Sequence, residues 1–245
     1  VINNTTSGVT FSGYDTTFAP CSFDANRPTL QLNVASATLI TASTAVQFCN
    51  LILDGNGQTA AKAAASMTGT RIHFTGFNTA STSANLCNYC TVTASSASVI
   101  TGSGSFCWYC TFYANTTTPF ILGSCFHCLS RDNTGATTDG FTVAAGSSFI
   151  GCAAIGNGRD GFSAGSGNKY MANNIAEANG RYGFNLTSLT ISINNAAGLN
   201  TTAAKNGTAL MESGFITYTA GSVFVNAGAG NFALNSIANQ GALLR

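Results

Sequence analysis

Three Cys-x-x-Cys pairs, Cys87/Cys90, Cys107/Cys110 and Cys125/Cys128, follow one another at steps of 20 and 18 residues. The first four sulfurs, Cys87-x2-Cys90-x16-Cys107-x2-Cys110, have the spacing of a zinc ribbon, and thiolates bind zinc strongly in tetrahedral sets. The rest of the series speaks for packing instead. A third pair continues the repeat, although one tetrahedral site needs only four sulfurs, and the column goes on as a lone Cys152 and then Asn174. Disulfides between neighbouring units are geometrically open, because stacked strands lie about 4.8 Å apart. Against that, the chain has nine cysteines, an odd number. The expectation is free thiols packed as small hydrophobes in two core columns, containing Cys87, Cys90, Cys107, Cys110, Cys125, Cys128 and Cys152, with no metal and no cofactor. Leu86 and Phe106, which precede two of the pairs, read as core-strand residues.

Carboxylates are the second possible source of chemistry. Only eight exist: Asp15, Asp24, Asp54, Asp132, Asp139, Asp160, Glu177 and Glu212. Glycoside hydrolysis normally needs two of them about 5–10 Å apart. The repeat stacks Asp139 near Asp160, with Arg159 and Arg181 beside them, so Asp139, Asp160 and Arg159 are the candidates for a catalytic or calcium-binding cluster. The bland alternative, a ladder of turn bonds and weak ion pairs at a repeated corner, is preferred. His73 and His127 are isolated, and neither a phosphate loop nor a dinucleotide fingerprint occurs. The balance leans away from an enzyme.

Both groups of residues depend on the elements that carry them, and those elements repeat. Phe149–Phe162 aligns with Met171–Phe184 at a step of 22, placing Cys152 over Asn174, Asn157 over Asn179, Gly161 over Gly183 and Phe162 over Phe184. Asp139-Gly140-Phe141 fits the same Gly-Phe column, and Phe48-Cys49-Asn50-Leu51 lies two periods before Cys90. Apolar runs such as Leu51-Ile52-Leu53 and Phe120-Ile121-Leu122 are short and bounded by Gly, Asn, Ser or Thr, as strands of 3–5 residues are. Helical patterning is confined to Thr59–Met67, where the alanines suit a turn or two. Short strands at a period of about 20–24 residues specify an all-β parallel β-helix, one coil stacked on the next.

A corollary concerns the aromatic residues. Residues i and i+3 of a straight strand face opposite sides. If both cysteines of a pair face inward, the chain bends between them and the intervening residues point outward. These are Asn88/Tyr89, Trp108/Tyr109 and Phe126/His127. The expectation is an exposed aromatic stripe serving as a subunit interface or as a sugar-stacking platform, unless one column turns back into the core.

Composition narrows the partners. Charged residues make up 7% of the 245 residues, and none occurs between Arg71 and Arg131. Polar residues still interrupt every apolar run, so no membrane helix is expected. A net charge of +1 without a basic cluster gives nucleic acid no footprint. With 45% hydrophobic residues, 17 of them Phe, the chain has enough apolar surface to fold. Residue 1 is Val and no signal-peptide pattern follows, which reads as a processed or partial chain. Asn-x-Ser/Thr sequons at Asn3, Asn4, Asn115, Asn185, Asn200 and Asn206 are expected by chance in a chain this rich in Asn and Thr.

The units Asn157-Gly-Arg-Asp-Gly-Phe162 and Asn179-Gly-Arg-Tyr-Gly-Phe184, with the closing Gly221–Leu234, resemble the right-handed parallel β-helix repeat superfamily. That superfamily includes pectate-lyase-like enzymes, secreted repeat proteins and phage tailspike or virion proteins. The resemblance implies a right-handed helix over 46–235, between an irregular capping region at 1–45 and a tail at 236–245. It also implies a structural or binding protein outside a cell or on a virion, such as a decoration protein, tail fibre or spike, built as a homotrimer or seated on neighbouring structural proteins. The alternatives it carries are a polysaccharide-degrading enzyme and an adhesin binding surface glycans. The clusters of Asp, Gly-His-Gly or Arg and Lys typical of its pectin-degrading members are missing here. Scaffold resemblance specifies fold far better than activity.

Overall fold

A computed structural model of the chain describes residues 2–4, 10–12, 27–33, 35, 38–42, 47–58, 62–64, 66–78, 83–98, 100–218, 224–226 and 231–234. Glycine, Asn and Ser interrupt the apolar runs so often that most strands are three or four residues long. Such strands bury little alone and persist because each pairs with a copy of itself one coil away. The result is a parallel β-helix. A ten-stranded parallel sheet runs from Thr29–Gln31 to Ile216–Tyr218, and a fourteen-stranded sheet contains Ser83–Asn88, Ile100–Trp108, Phe120–Phe126, Ser148–Ile150, Lys169–Ala172, Thr190–Ile193 and Met211–Ser213. From Cys90 to Tyr218 coil length ranges from 18 residues, between Cys110 and Cys128, to 24, between Asn133 and Asn157.

From Gln47–Cys49 onward each coil turns from one sheet to the other in two residues, and the turn fixes the cysteine columns. Cys87, Cys107 and Cys125 pair in register on successive strands, and the inward column continues as Phe149, Met171 and Ser192. The second residue after each of these cysteines, Tyr89, Tyr109 or His127, takes a left-handed conformation with φ of 52–54°. That reversal brings Cys90, Cys110 and Cys128 back inward, so both cysteines of each pair are buried.

The second column is a hydrogen-bond ladder. Cys90 N donates to Cys110 Sγ and Cys110 N to Cys128 Sγ, each at 3.4 Å. Cys110, Cys128 and Cys152 Sγ in turn donate to Cys87, Cys107 and Cys125 O at 3.3–3.4 Å. Asparagine makes the same two contacts in the next coils: Cys152 N donates to Asn174 Oδ1 at 2.9 Å, and Asn174 Nδ2 to Phe149 O at 2.9 Å. A thiol is a weak donor and weak acceptor, and here it does an amide's work. At the opposite corner Ser95, Asn115, Asn133, Asn157, Asn179 and Asn200 form a ladder of the same kind. Sequons at Asn115 and Asn200 are therefore rungs, their side-chain amides donating to carbonyls of the coil below.

The Asn-Gly-Arg-Asp-Gly-Phe unit is explained residue by residue. Asn157 is a rung, Arg159 and Asp160 pair with neighbouring coils, and Phe162 stacks between Phe141 and Phe184 at 5.2 and 4.9 Å. Gly161 lets the backbone pass the ladder, since a Cβ there would lie 2.8 Å from Asn179 Nδ2 and 2.7 Å from Gly183 O. The core is a pile of phenylalanines (Phe48, Phe74, Phe112, Phe120, Phe141, Phe149, Phe162 and Phe184) beside the thiol columns.

Three expectations change. The alanine-rich stretch is strand at Lys62–Ala64 and Ser66–Thr70, because parallel pairing with Thr38–Ala42 and Gln47–Cys49 overrides the helix propensity of alanine. Leu86 is partly exposed and Phe106 is exposed, since neighbours of an inward Cys87 or Cys107 must face out. Within the closing segment, Phe224–Asn226 pairs with Asn231–Leu234 antiparallel rather than as another coil. Parallel pairing also reaches back into residues 1–45, where Ile2–Asn4, Thr10–Ser12 and Thr29–Gln31 join the stack. The tail at 236–245 lies outside the described residues.

The two columns predict opposite responses to one substitution. Cys128→Asn or Cys152→Asn supplies the ladder amide and should leave stability within about 1 kcal/mol of the parent, or raise it. Cys125→Asn buries an amide among Cys107, Phe149 and Cys152 with no ladder partner and should cost about 3 kcal/mol. Urea unfolding followed by circular dichroism separates them; equal losses at Cys125 and Cys128 would refute the ladder role of the thiol.

Candidate interaction surface

The acidic cluster is assembled by the corner between sheets. Asp139 and Asp160 occupy successive coils, both almost wholly buried. Arg159 grips the Asp139 carboxylate through Nε at 2.7 Å and through Nη2, and Asp160 N donates to the same carboxylate at 3.2 Å. Arg181 grips Asp160 the same way, joined by Asn185 Nδ2 at 3.1 Å and Tyr182 N at 3.3 Å. These hydrogen bonds push both guanidinium pKa values up. Forked Arg–carboxylate pairs of this kind are strong and directional. They engage both oxygens of each acid.

Among the described residues no group of three or more His, Cys, Asp or Glu is arranged to hold a metal ion. The eight described cysteines are free thiols. Burial pushes the Cys110 and Cys152 thiols of the ladder up and favours their neutral form, whereas at Cys90 and Cys128 burial is outweighed by hydrogen bonds from neighbouring thiols, which act the other way. His73 Nε2 contacts Thr93 Oγ1 at 2.9 Å, and burial lowers its pKa. Two shallow depressions, about 250 Å³ beside Lys169 and Tyr170 and about 270 Å³ beside Gly198 and Tyr218, fall below the roughly 300 Å³ at which ligand pockets begin.

The outward face of the fourteen-stranded sheet differs in kind. Strand alternation with the cysteines turned in presents two columns outward. One runs through Leu86, Phe106, Ser124, Ser148, Tyr170, Ile191 and Met211, the other through Asn88, Trp108, Phe126, Ile150, Ala172, Ile193 and Ser213, with Ser124 and Ala172 covered by their neighbours. Neither contains a charged residue. Phe106 is 43% exposed, Trp108 37% and Met211 58%. Tyr89, Tyr109 and His127, all exposed, form a third column along the rim, at the left-handed turn.

The rings stack along the axis. Trp108 lies on Phe126 with centroids 4.2 Å apart, Tyr89 on Tyr109 at 5.1 Å and Tyr109 on His127 at 5.2 Å, all within 17° of parallel. His127 in turn covers Gly151, where a Cβ would lie 2.7 Å from Nδ1. Stacked rings hide their faces in one another and offer solvent their edges. A sugar packs on a ring face, so this arrangement suits an edge-on protein contact better than a glycan platform.

All five aromatic-stripe residues (Tyr89, Trp108, Tyr109, Phe126 and His127) thus lie together on or beside one face. Phe106, Tyr170, Ile191 and Met211 belong to the same surface and escaped the sequence reading. The signal for them was available: counting alternate residues back from each inward cysteine puts Phe106 outside. A second apolar cluster, Ile155, Ile175, Ala196 and Tyr218, lies apart from the main core. There Tyr218 Oη donates to buried Glu177 at 3.0 Å, and burial and that carboxylate push the phenol pKa up. No helix among the described residues is long and apolar enough to cross a membrane. Comparison with protein-family models, curated proteins and solved structures finds no match.

Asp160→Ala strips Arg181, Tyr182 N and Asn185 of their common acceptor. The variant should lose about 2–3 kcal/mol, less than a fully buried pair because Arg181 is partly exposed. Thermal unfolding checks this; an unchanged melting temperature would free the carboxylate for another role.

Proposed function

We propose that this chain is a non-enzymatic structural or binding protein of an extracellular or virion surface, of the decoration-protein, tail-fibre or spike type, that assembles with copies of itself as a homotrimer. The observation that carries the reading is the uncharged, largely apolar pair of outward columns on the seven strands from Ser83–Asn88 to Met211–Ser213 of the fourteen-stranded sheet. Its six steps from Leu86 to Met211, at about 4.8 Å each, make it roughly 29 Å tall. With two residue columns and the tyrosine rim it offers on the order of 300–500 Å² of flat apolar surface, the size that marks an interaction site on a soluble protein.

The occupant favoured is a second copy. A face without charge has no electrostatic demand on its partner and suits itself as well as any other surface, while a charged partner would be left with unpaired groups. The resemblance of the Asn157–Phe162 and Asn179–Phe184 units to the pectate-lyase-like β-helix superfamily, with its tailspike and virion members, supports the same class of protein. The polysaccharide-degrading alternative is weakened by the engagement of Asp139 and Asp160 with Arg159 and Arg181. The glycan-binding alternative is weakened by the mutual covering of the ring faces.

Light scattering on the parent and on a Phe106→Ser/Trp108→Ser variant tests the proposal. The parent should have the mass of a trimer at both low and high salt, since apolar association is not screened. The variant should fall to a folded monomer with unchanged circular dichroism. A monomeric parent, or a variant of unchanged mass and fold, would overturn it.

A further inference from the structure

The stacked tyrosines on the rim of that face carry chemistry of their own. Among the described residues one pair of tyrosines stacks ring on ring: Tyr89 and Tyr109, with planes 9° apart. Their backbones share one conformation, φ 52° and 54°, and their coils are in register, since Asn88 pairs with Trp108. The two phenols therefore leave the same corner of successive coils as neighbours along the axis, with ring centroids 5.1 Å apart. Both rings are nearly half exposed, at 46% and 49%.

We propose that Tyr89 and Tyr109 form an oxidative coupling site, at which a one-electron oxidant of the peroxidase–hydrogen peroxide class joins two successive coils through a dityrosine bond. Each phenol loses one electron and its hydroxyl proton, giving two phenoxyl radicals. The radicals combine through their ortho carbons in a new carbon–carbon bond. The hydrogen on each coupled carbon then moves to oxygen, restoring both aromatic rings. Two electrons and two protons leave in all, and they reduce one hydrogen peroxide to two waters.

Register makes the site selective. The parallel strands hold the two rings at contact distance before oxidation, so coupling is intramolecular and outruns encounter between chains. Other described tyrosines have different neighbours. Tyr113 lies under the Arg131 guanidinium, Tyr182 under that of Arg181, and Tyr218 is buried against Glu177. The bond would close the coil from Tyr89 to Tyr109 covalently, where the thiol ladder already holds it by weak hydrogen bonds.

The test treats the full chain, dilute, with a peroxidase and hydrogen peroxide. Dityrosine fluorescence should appear in material of single-chain size on denaturing gels, with loss of two hydrogen atoms by mass spectrometry and a cross-linked peptide joining residues 89 and 109. Tyr89→Phe and Tyr109→Phe keep the stacked ring but remove the phenol, and each should cut the yield roughly tenfold or more. Tyr170→Phe should leave it unchanged. An intrachain yield that survives Tyr109→Phe would overturn the proposal. So would dityrosine found only between chains, or none while Tyr170 is oxidised.

Discussion

A chain that reverses direction at the wall of its own core buries backbone N–H groups at every turn, and each must find an acceptor. This protein meets the demand with a column of side chains, each accepting from the coil before it and donating back to a carbonyl of that coil. Asparagine fills most of the rungs at one corner; at the other, cysteine fills four, at Cys90, Cys110, Cys128 and Cys152, and asparagine two, at Asn174 and Asn195. The rest of the architecture follows from this repeated bond. It fixes the register of neighbouring coils, admits left-handed turn residues such as Tyr89 and His127, and holds both sheets parallel.

Register has a cost and a use. Because each coil copies the one below, any residue placed outward is placed beside its own kind. Aromatic residues therefore stack as Tyr89–Tyr109–His127 and Trp108–Phe126, and apolar residues merge into one face. Charges placed at the same corner would repel if they were alike. Asp139, Arg159, Asp160 and Arg181 avoid this by pairing across coils, acid to base. The same rule that makes an ion-pair ladder at one corner makes an uncharged face on one sheet. The contrast between them sets the assembly reading above the catalytic one.

Legibility followed the repeat. The Cys-x-x-Cys steps, the alignment of Cys152 with Asn174 and the Gly-Phe column lay open in the sequence because stacking identical residues is what a solenoid does. The outward turn of Tyr89 and Tyr109 followed from requiring both cysteines inward. Phe106 is hydrophobic enough for the core, but its position beside inward Cys107 turns it out to solvent. Thr59–Met67 misled for the opposite reason: alanine favours helix locally, and only the neighbouring coils supplied the pairing that made strands of it.

The sequence alone determined the coil, its period, the two cysteine columns and the lack of charge between Arg71 and Arg131, because these are properties of order and composition. Only the tertiary structure decided that the thiols act as ladder rungs and that Asp139 and Asp160 are consumed by arginines. It also decided that Leu86 through Met211 become a single surface. Those facts depend on which coil lies above which, and on the direction each side chain leaves its strand. Even between Cys90 and Tyr218 the coils vary from 18 to 24 residues, so spacing along the chain does not fix which residues become neighbours in space.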